Sequence, residues 1–131
     1  MKKYFIIFLL LLITTAKAQR APFYIVNVAA VKTEREAIKR SKELRNGGYR
    51  AGYLWIPNYE SLSGAPYYSV YIGPFKSRYD CEVATEQYKK IQSSAYGLLV
   101  SHQPQRVQIN GIGKVSITQN KKSRSSSKEG W

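Results

Sequence analysis

Four residues form a candidate binding surface because of their types and their spacing. Strict alternation along Tyr67–Phe75 predicts a half-buried strand, which would point Tyr67, Ser69 and Tyr71 to one face. On the first strand of the chain, Asn27 is the polar residue of the corresponding face. Tyrosine rings offer flat apolar area together with a hydroxyl group. The pattern therefore indicates stacking and hydrogen bonding to a ligand, which is binding chemistry.

Residues for catalysis or metal binding show no comparable organisation. His102 is the single histidine, and no acidic motif lies near it. The eight acidic residues lack paired-carboxylate or metal-ligand spacing, and the chain has no glycine-rich phosphate loop or nucleophile elbow. Cys81 is the single cysteine, so it has no partner for a disulfide or a metal site. We predict that the protein is not an enzyme and needs no metal or cofactor.

The first 18 residues have the pattern of a secretory signal peptide. Lys2 and Lys3 precede the apolar run Tyr4–Ile13, and Ala16-Lys17-Ala18 is a small-x-small cleavage site. The apolar run is shorter than the roughly 20 residues that span a bilayer. We predict cleavage before Gln19, export to the periplasm or cell envelope, and no stable membrane anchor afterwards.

The charge of the chain is strongly positive, with 21 basic and eight acidic residues. Without the three lysines of residues 1–18, 18 basic residues remain, so the net charge would be about +10. For an exported protein, this charge favours polyanionic surfaces of the cell wall or membrane lipids. A merely solvated basic surface is the alternative.

The elements that must position the candidate surface begin with a strand rich in β-branched and aromatic residues. Thr33 and Glu36 form a capping box that opens a helix, and Gly47-Gly48 ends it. Ser77 and Asp80 cap a second helix in the same way. The predicted order is strand Phe23–Val31, helix Glu34–Asn46, strand Arg50–Ile56, loop Pro57–Pro66, strand Tyr67–Ile72 stopped by Gly73-Pro74, helix to Gln92, and strand Ala95–Ser101.

An internal repeat relates the two halves of this region. With an offset of 44 residues, Val26–Thr33 aligns with Val70–Ser77, and Glu36 aligns with Asp80. Two strand–helix–strand copies predict an α+β, ferredoxin-like (RNP-like) β-α-β-β-α-β fold. In that fold, two helices cover one face of a four-stranded antiparallel sheet, and the first and third strands are central. On the first strand, Ala29 would share the open face with Asn27.

The remaining C-terminal residues are predicted to form an extension, 104–131. Arg106–Ile109 and Lys114–Thr118 alternate around an Asn-Gly turn and could form a hairpin. Gln119–Trp131 is basic and serine-rich, which predicts a disordered tail. The predicted organisation is therefore a signal peptide over 1–18, one domain over 19–103, and this extension.

The region Pro22–Ser101 resembles the SPOR domain family. Tyr68–Phe75 is close to the family's aromatic-x-V-x-(V/I)-G-P-(F/V) motif, and Phe23–Val31 matches its first strand more weakly. The resemblance implies the fold described above and a module that binds peptidoglycan, with preference for glycan strands stripped of stem peptides. It further implies a role in cell division or wall remodelling.

The candidate residues compare with the family pattern in different ways. Asn27 stands where the family usually has glutamine, and Tyr67 occupies a position that is often aromatic. Ser69 stands where glycan binders often carry arginine. Sugar rings have apolar C–H faces rimmed by hydroxyl groups, so a surface of Asn27, Tyr67, Ser69 and Tyr71 would suit them.

Two other functions fit parts of the same pattern. The sheet or the basic helix surfaces could bind another envelope or division protein. An open sheet with central aromatic residues also resembles RNA-recognition modules. The lysine- or arginine-glycine-aromatic motif of those modules is absent, so no nucleic acid is expected.

Overall fold

The computed structural model describes residues 21–120. The predicted signal peptide over 1–18 and most of the predicted tail lie outside these residues. Within the described part of the chain, no helix is long and apolar enough to cross a membrane. The elements are β1 Phe23–Val31, α1 Glu34–Asn46, β2 Ala51–Trp55, a short 3-10 turn Ile56–Asn58, β3 Tyr68–Phe75, α2 Arg78–Tyr88, β4 Tyr96–Val100, β5 Gln105–Gly111 and β6 Lys114–Gln119.

All six strands form one antiparallel sheet in the order β2-β3-β1-β4-β5-β6. The α+β class is confirmed, but the prediction of a four-stranded sheet was wrong. The β5–β6 hairpin continues the sheet beyond β4, because Val107 and Ile109 bury their side chains in the main core. Pairing with β5 also satisfies the backbone groups of β4 that would otherwise form an exposed edge.

The two helices pack on the same face of the sheet, which we call the helix face. Ala37 of α1 and Cys81 of α2 are both fully buried in one cluster with Val26, Val70 and Ile72. Both helices begin at the predicted caps. The Thr33 hydroxyl accepts the Glu36 N–H at 3.2 Å, and the Ser77 hydroxyl accepts the Asp80 N–H at 3.1 Å.

A register shift in β1 changes which way its last residues point. Asn27 lies opposite Tyr71, but Ala29 lies opposite Val70, so Val28 is an extra residue in the ladder. Such a bulge reverses the alternation beyond it. Ala29 therefore packs against the helix-face core, and the prediction that it shares a face with Asn27 was wrong.

The prediction that β3 stops at Gly73-Pro74 was wrong. It continues to Phe75, which lies opposite Tyr24, across a second register shift. The Gly73–Pro74 peptide bond is cis, and Gly73 has a φ of 131°, a conformation that glycine adopts most readily. Proline is tolerated here because a bulge does not require its missing N–H.

The turn of the β5–β6 hairpin is held by carboxylates from α2. The Ile112 N–H donates to Glu86 at 2.9 Å, and the Gly113 N–H donates to Glu82 at 2.9 Å. Lys89 Nζ donates to the carbonyl of Asn110 at 3.1 Å. The hairpin is therefore fixed to the rest of the fold at its turn as well as along β4.

We expect the hairpin to contribute to the stability of the whole domain. Ile109→Ala should lower the free energy of unfolding by about 3 kcal/mol, since it leaves a cavity in the core. Ile117→Ala on β6 is the matched control, because Ile117 is 51% exposed, and should change it by less than about 0.5 kcal/mol. Urea denaturation of the two variants measures the difference. Equal losses would contradict an integral hairpin.

Candidate functional site

The candidate site lies on the sheet face opposite the helices, which we call the second face. Asn27 lies opposite Tyr71 on β3 and opposite Tyr96 on β4. Ser69 is two residues before Tyr71 on the same strand and shares this face. Three of the four predicted residues therefore come together on adjacent central strands. Tyr67 lies just before β3, where its carbonyl accepts the N–H of Ile56 at 3.0 Å, and its side chain is half-buried.

Asn27 and Ser69 form a hydrogen-bonded pair on neighbouring strands. The Ser69 hydroxyl donates to Asn27 Oδ1, and Ser69 is only 1% exposed. Ser69 therefore orients the amide from beneath the surface. Asn27 remains half-exposed, and its amide nitrogen has no hydrogen-bond partner among residues 21–120. The pair presents one fixed N–H donor group on the second face.

The ring of Tyr71 lies across the neighbouring strand β2. A Cβ atom at Gly52 would come within 3.0 Å of the Tyr71 hydroxyl oxygen and 3.2 Å of its Cζ. Glycine at this position therefore leaves the space that the ring occupies. Burial, with a smaller contribution from Tyr59, raises the pKa of Tyr71 above its usual value. The phenol is thus neutral at physiological pH and can both donate and accept a hydrogen bond.

Tyr96 was not identified from the sequence, and it completes a row of three side chains. Tyr71, Asn27 and Tyr96 occupy β3, β1 and β4, where neighbouring strands lie about 4.8 Å apart. Tyr96 is half-buried, like the other two. Alternation with Leu98 in the predicted fourth strand is the signal that could have found it, once β4 was paired with β1.

The loop between β2 and β3, which we call the strap (Pro57–Pro66), crosses part of the second face. Leu62 of the strap is buried in a second apolar cluster on this face. The other buried members are Ile25, Leu54, Leu98 and Val100, with Tyr71 and Tyr96 packed against its side. The expectation of a fully open face was therefore wrong. The strap covers these apolar residues, and Asn27, Tyr71 and Tyr96, which lie between them, remain half-exposed.

The strap is tied to distant parts of the chain by specific hydrogen bonds. The fully buried Ser61 donates its hydroxyl to the Leu99 carbonyl at 2.8 Å and accepts the Ser101 N–H at 2.9 Å. Asn120 Nδ2 donates to the carbonyls of Glu60 at 2.6 Å and Leu62 at 2.8 Å. The strap is therefore a fixed wall of the site in this structure.

The residues considered for catalysis occupy structural positions. His102 is exposed and stacks on Tyr59 of the strap, with ring centroids 5.4 Å apart. Cys81 is fully buried, and desolvation raises the pKa of its thiol to about 11, which disfavours the reactive thiolate. Among residues 21–120, no group of three His, Cys, Asp or Glu side chains could hold a metal ion.

We expect the two hydrogen bonds of Ser61 to hold the strap in place. Ser61→Ala would leave the Leu99 carbonyl and the Ser101 N–H without this partner and should lower the free energy of unfolding by about 1–3 kcal/mol. Ser63→Ala is the matched control, since Ser63 is exposed and accepts only a long local bond from Ala65 N–H at 3.3 Å. Thermal unfolding compares them. An unchanged Ser61→Ala variant would show that the strap is not held this way.

The chain matches one known family model. The model of the SPOR domain matches residues 21–96, which is more than half of the chain and includes Asn27, Tyr67, Ser69, Tyr71 and Tyr96. Searches of curated proteins and of solved structures found no match. SPOR domains are peptidoglycan-binding modules involved in cell division, and they occur in envelope-associated proteins. The resemblance noted in the sequence is thus confirmed, and the chain belongs to the SPOR domain family.

Proposed function

We propose that the second face binds the glycan strands of peptidoglycan and prefers strands stripped of stem peptides. The observation that carries this proposal is the half-exposed row of Tyr71, Asn27 and Tyr96 on three adjacent strands. Two aromatic rings with an oriented amide between them provide both of the contacts that a sugar chain needs. The protein acts through this surface as a non-catalytic module.

The chemistry of the row matches that of a sugar chain. The apolar C–H faces of sugar rings pack against the faces of Tyr71 and Tyr96, whose hydroxyl groups remain available for hydrogen bonds. The Asn27 amide nitrogen donates to a sugar hydroxyl or to an N-acetyl carbonyl, because its oxygen is already occupied by Ser69. Tyr67 extends the aromatic surface at the end of the strap.

The strap supports the preference for bare glycan. Leu62 of the strap shares a cluster with Leu54 on one side of the row and with Ile25 and Leu98 on the other. The strap therefore narrows the space over the row, and we infer that a bulky stem peptide would not fit there. Removal of the stem peptide removes that obstacle.

The site contains no charged side chain among its proposed ligand-binding residues. Ser69 replaces the arginine that is frequent at this position in glycan binders, and it is buried beneath Asn27. Binding through stacking and neutral hydrogen bonds should therefore depend little on salt. Binding of the basic chain to wall polyanions would instead weaken as salt screens the charges.

The protein would reach its ligand by export. Removal of residues 1–18 would release it into the periplasm or cell envelope, where peptidoglycan is synthesised and remodelled. We place its action in cell division or wall remodelling, as is typical of the family.

Binding to another envelope protein is the second candidate function, and one feature favours it. A groove on the helix face runs along α2 and is lined by Ile72, Phe75, Val83 and two exposed side chains. These are Tyr79, which is 62% exposed, and Ile91, which is 68% exposed. Exposed apolar side chains around a groove are typical of protein contacts.

Sedimentation with purified cell-wall sacculi tests the glycan proposal. The unaltered protein should bind more strongly after an amidase has removed the stem peptides. Tyr67→Ala and Tyr71→Ala should each weaken this binding by at least about fivefold, which corresponds to roughly 1 kcal/mol. Tyr79→Ala is the matched control, because it removes an exposed tyrosine from the helix face and should leave binding unchanged.

Parallel thermal unfolding ensures that each variant is compared in its folded state. Tyr71 packs against the second cluster, so its variant should lose some stability in addition to binding. Absence of binding to both kinds of sacculi would refute the proposal. Loss of binding with Tyr79→Ala, but not with the second-face variants, would favour the groove and the protein-binding function.

A further inference from the structure

The second face continues beyond the residues that the family model matches. Gln108 of β5 lies opposite Leu98 of β4, and Ile109 lies opposite Gly97. By the same register, Asn110 and Tyr96 are the next positions along the two strands. Gln108 and Asn110 point to the same face, because Gln108 Nε2 donates to Asn110 Oδ1 at 3.4 Å. Two amide side chains of β5 therefore lie next to Tyr96 and Leu98 on the second face.

These two amides are held on a rigid element. On the opposite side of β5, Val107 and Ile109 are buried in the main core. The turn that follows Asn110 is bound by the carboxylates of Glu82 and Glu86. The position of the amides is thus set by the core and by α2.

The amide pair has unused hydrogen-bonding capacity. The mutual bond occupies Gln108 Nε2 and Asn110 Oδ1, so Gln108 Oε1 and Asn110 Nδ2 are left as an acceptor and a donor group. Neither atom has a partner elsewhere in the described part of the chain. Asn110 is exposed, and Gln108 is half-buried. Hydroxyl and N-acetyl groups of a sugar could bind both atoms at once.

We propose that Gln108 and Asn110 form an additional glycan subsite next to Tyr96, supplied by the C-terminal hairpin. This inference rests on the proposed function. The row then extends over β3, β1, β4 and β5, in three steps of about 4.8 Å each. Steps of this size are similar to the rise per sugar of an extended glycan, so successive sugars can contact successive strands.

Because of this subsite, affinity should be higher for a glycan long enough to reach β5. A short oligosaccharide occupies Tyr71, Asn27 and Tyr96 and does not reach β5. A longer one gains the two amides as well. Both residues lie outside residues 21–96, so this gain comes from a part of the chain that the family model does not include.

Calorimetric titration of the purified protein with denuded glycan oligosaccharides of two lengths tests the subsite. The Gln108→Ala/Asn110→Ala double variant should lose roughly tenfold in affinity for the long oligosaccharide, as expected for two hydrogen bonds. Its affinity for the shortest binding oligosaccharide should be unchanged. Gln105→Ala/Asn46→Ala is the matched control, because it removes one exposed glutamine and one exposed asparagine elsewhere and should affect neither length.

The outcomes separate this inference from the proposed function. Unchanged affinity of the double variant for the long oligosaccharide, with Tyr71→Ala weakened for both lengths, would overturn the subsite and leave the proposed function intact. An equal loss in the control variant would also overturn it. Failure of the unaltered protein to bind either length would refute the proposed function, and the subsite with it. Thermal unfolding identifies any variant that has lost its fold.

Discussion

The antiparallel pairing of β1 with β3 fixes the positions of side chains on both faces of the sheet. Its register places Asn27 beside Tyr71 and Ser69 within hydrogen-bonding distance of Asn27. The same pairing puts Val26, Val70 and Ile72 under the two helices. The bulge at Val28 then reverses the side-chain alternation, so that Ala29 and Val31 point toward the helix face. One strand pair thus defines both the core and the surface that we propose to bind glycan.

The C-terminal hairpin and the strap have opposite effects on the area of the second face. The hairpin enlarges the second face, because β5 adds Gln108 and Asn110 beside Tyr96. The strap reduces the same face, because Leu62 covers its apolar residues. Asn27, Tyr71 and Tyr96 remain half-exposed on this face, and Gln108 and Asn110 lie next to Tyr96. The two adaptations are linked, since Asn120 at the end of β6 donates to carbonyls of the strap.

Local patterns in the sequence predicted the parts of the fold that local physics determines. Alternation identified β3, β-branched and aromatic residues identified β1, and Thr33 and Ser77 identified both helix starts. The 44-residue repeat indicated that β1 and β3 are central strands. Local patterns could not predict the whole candidate site, because Tyr96 joins it only through the pairing of β4 with β1. The reversal at Ala29 follows from a bulge that alternation does not reveal. The strap is held by Ser61 bonding to Leu99 and by Asn120 bonding to Glu60, contacts between residues 38 and 60 positions apart. No short window of sequence contains such contacts.

Glycan should contact the second face and not the helix face. Nuclear magnetic resonance of isotope-labelled protein titrated with denuded glycan oligosaccharides distinguishes the two faces. The largest amide shift changes should occur at Asn27, Tyr71 and Tyr96, with little change along α1. Largest changes in α1 or α2, or none at saturating glycan, would contradict this expectation.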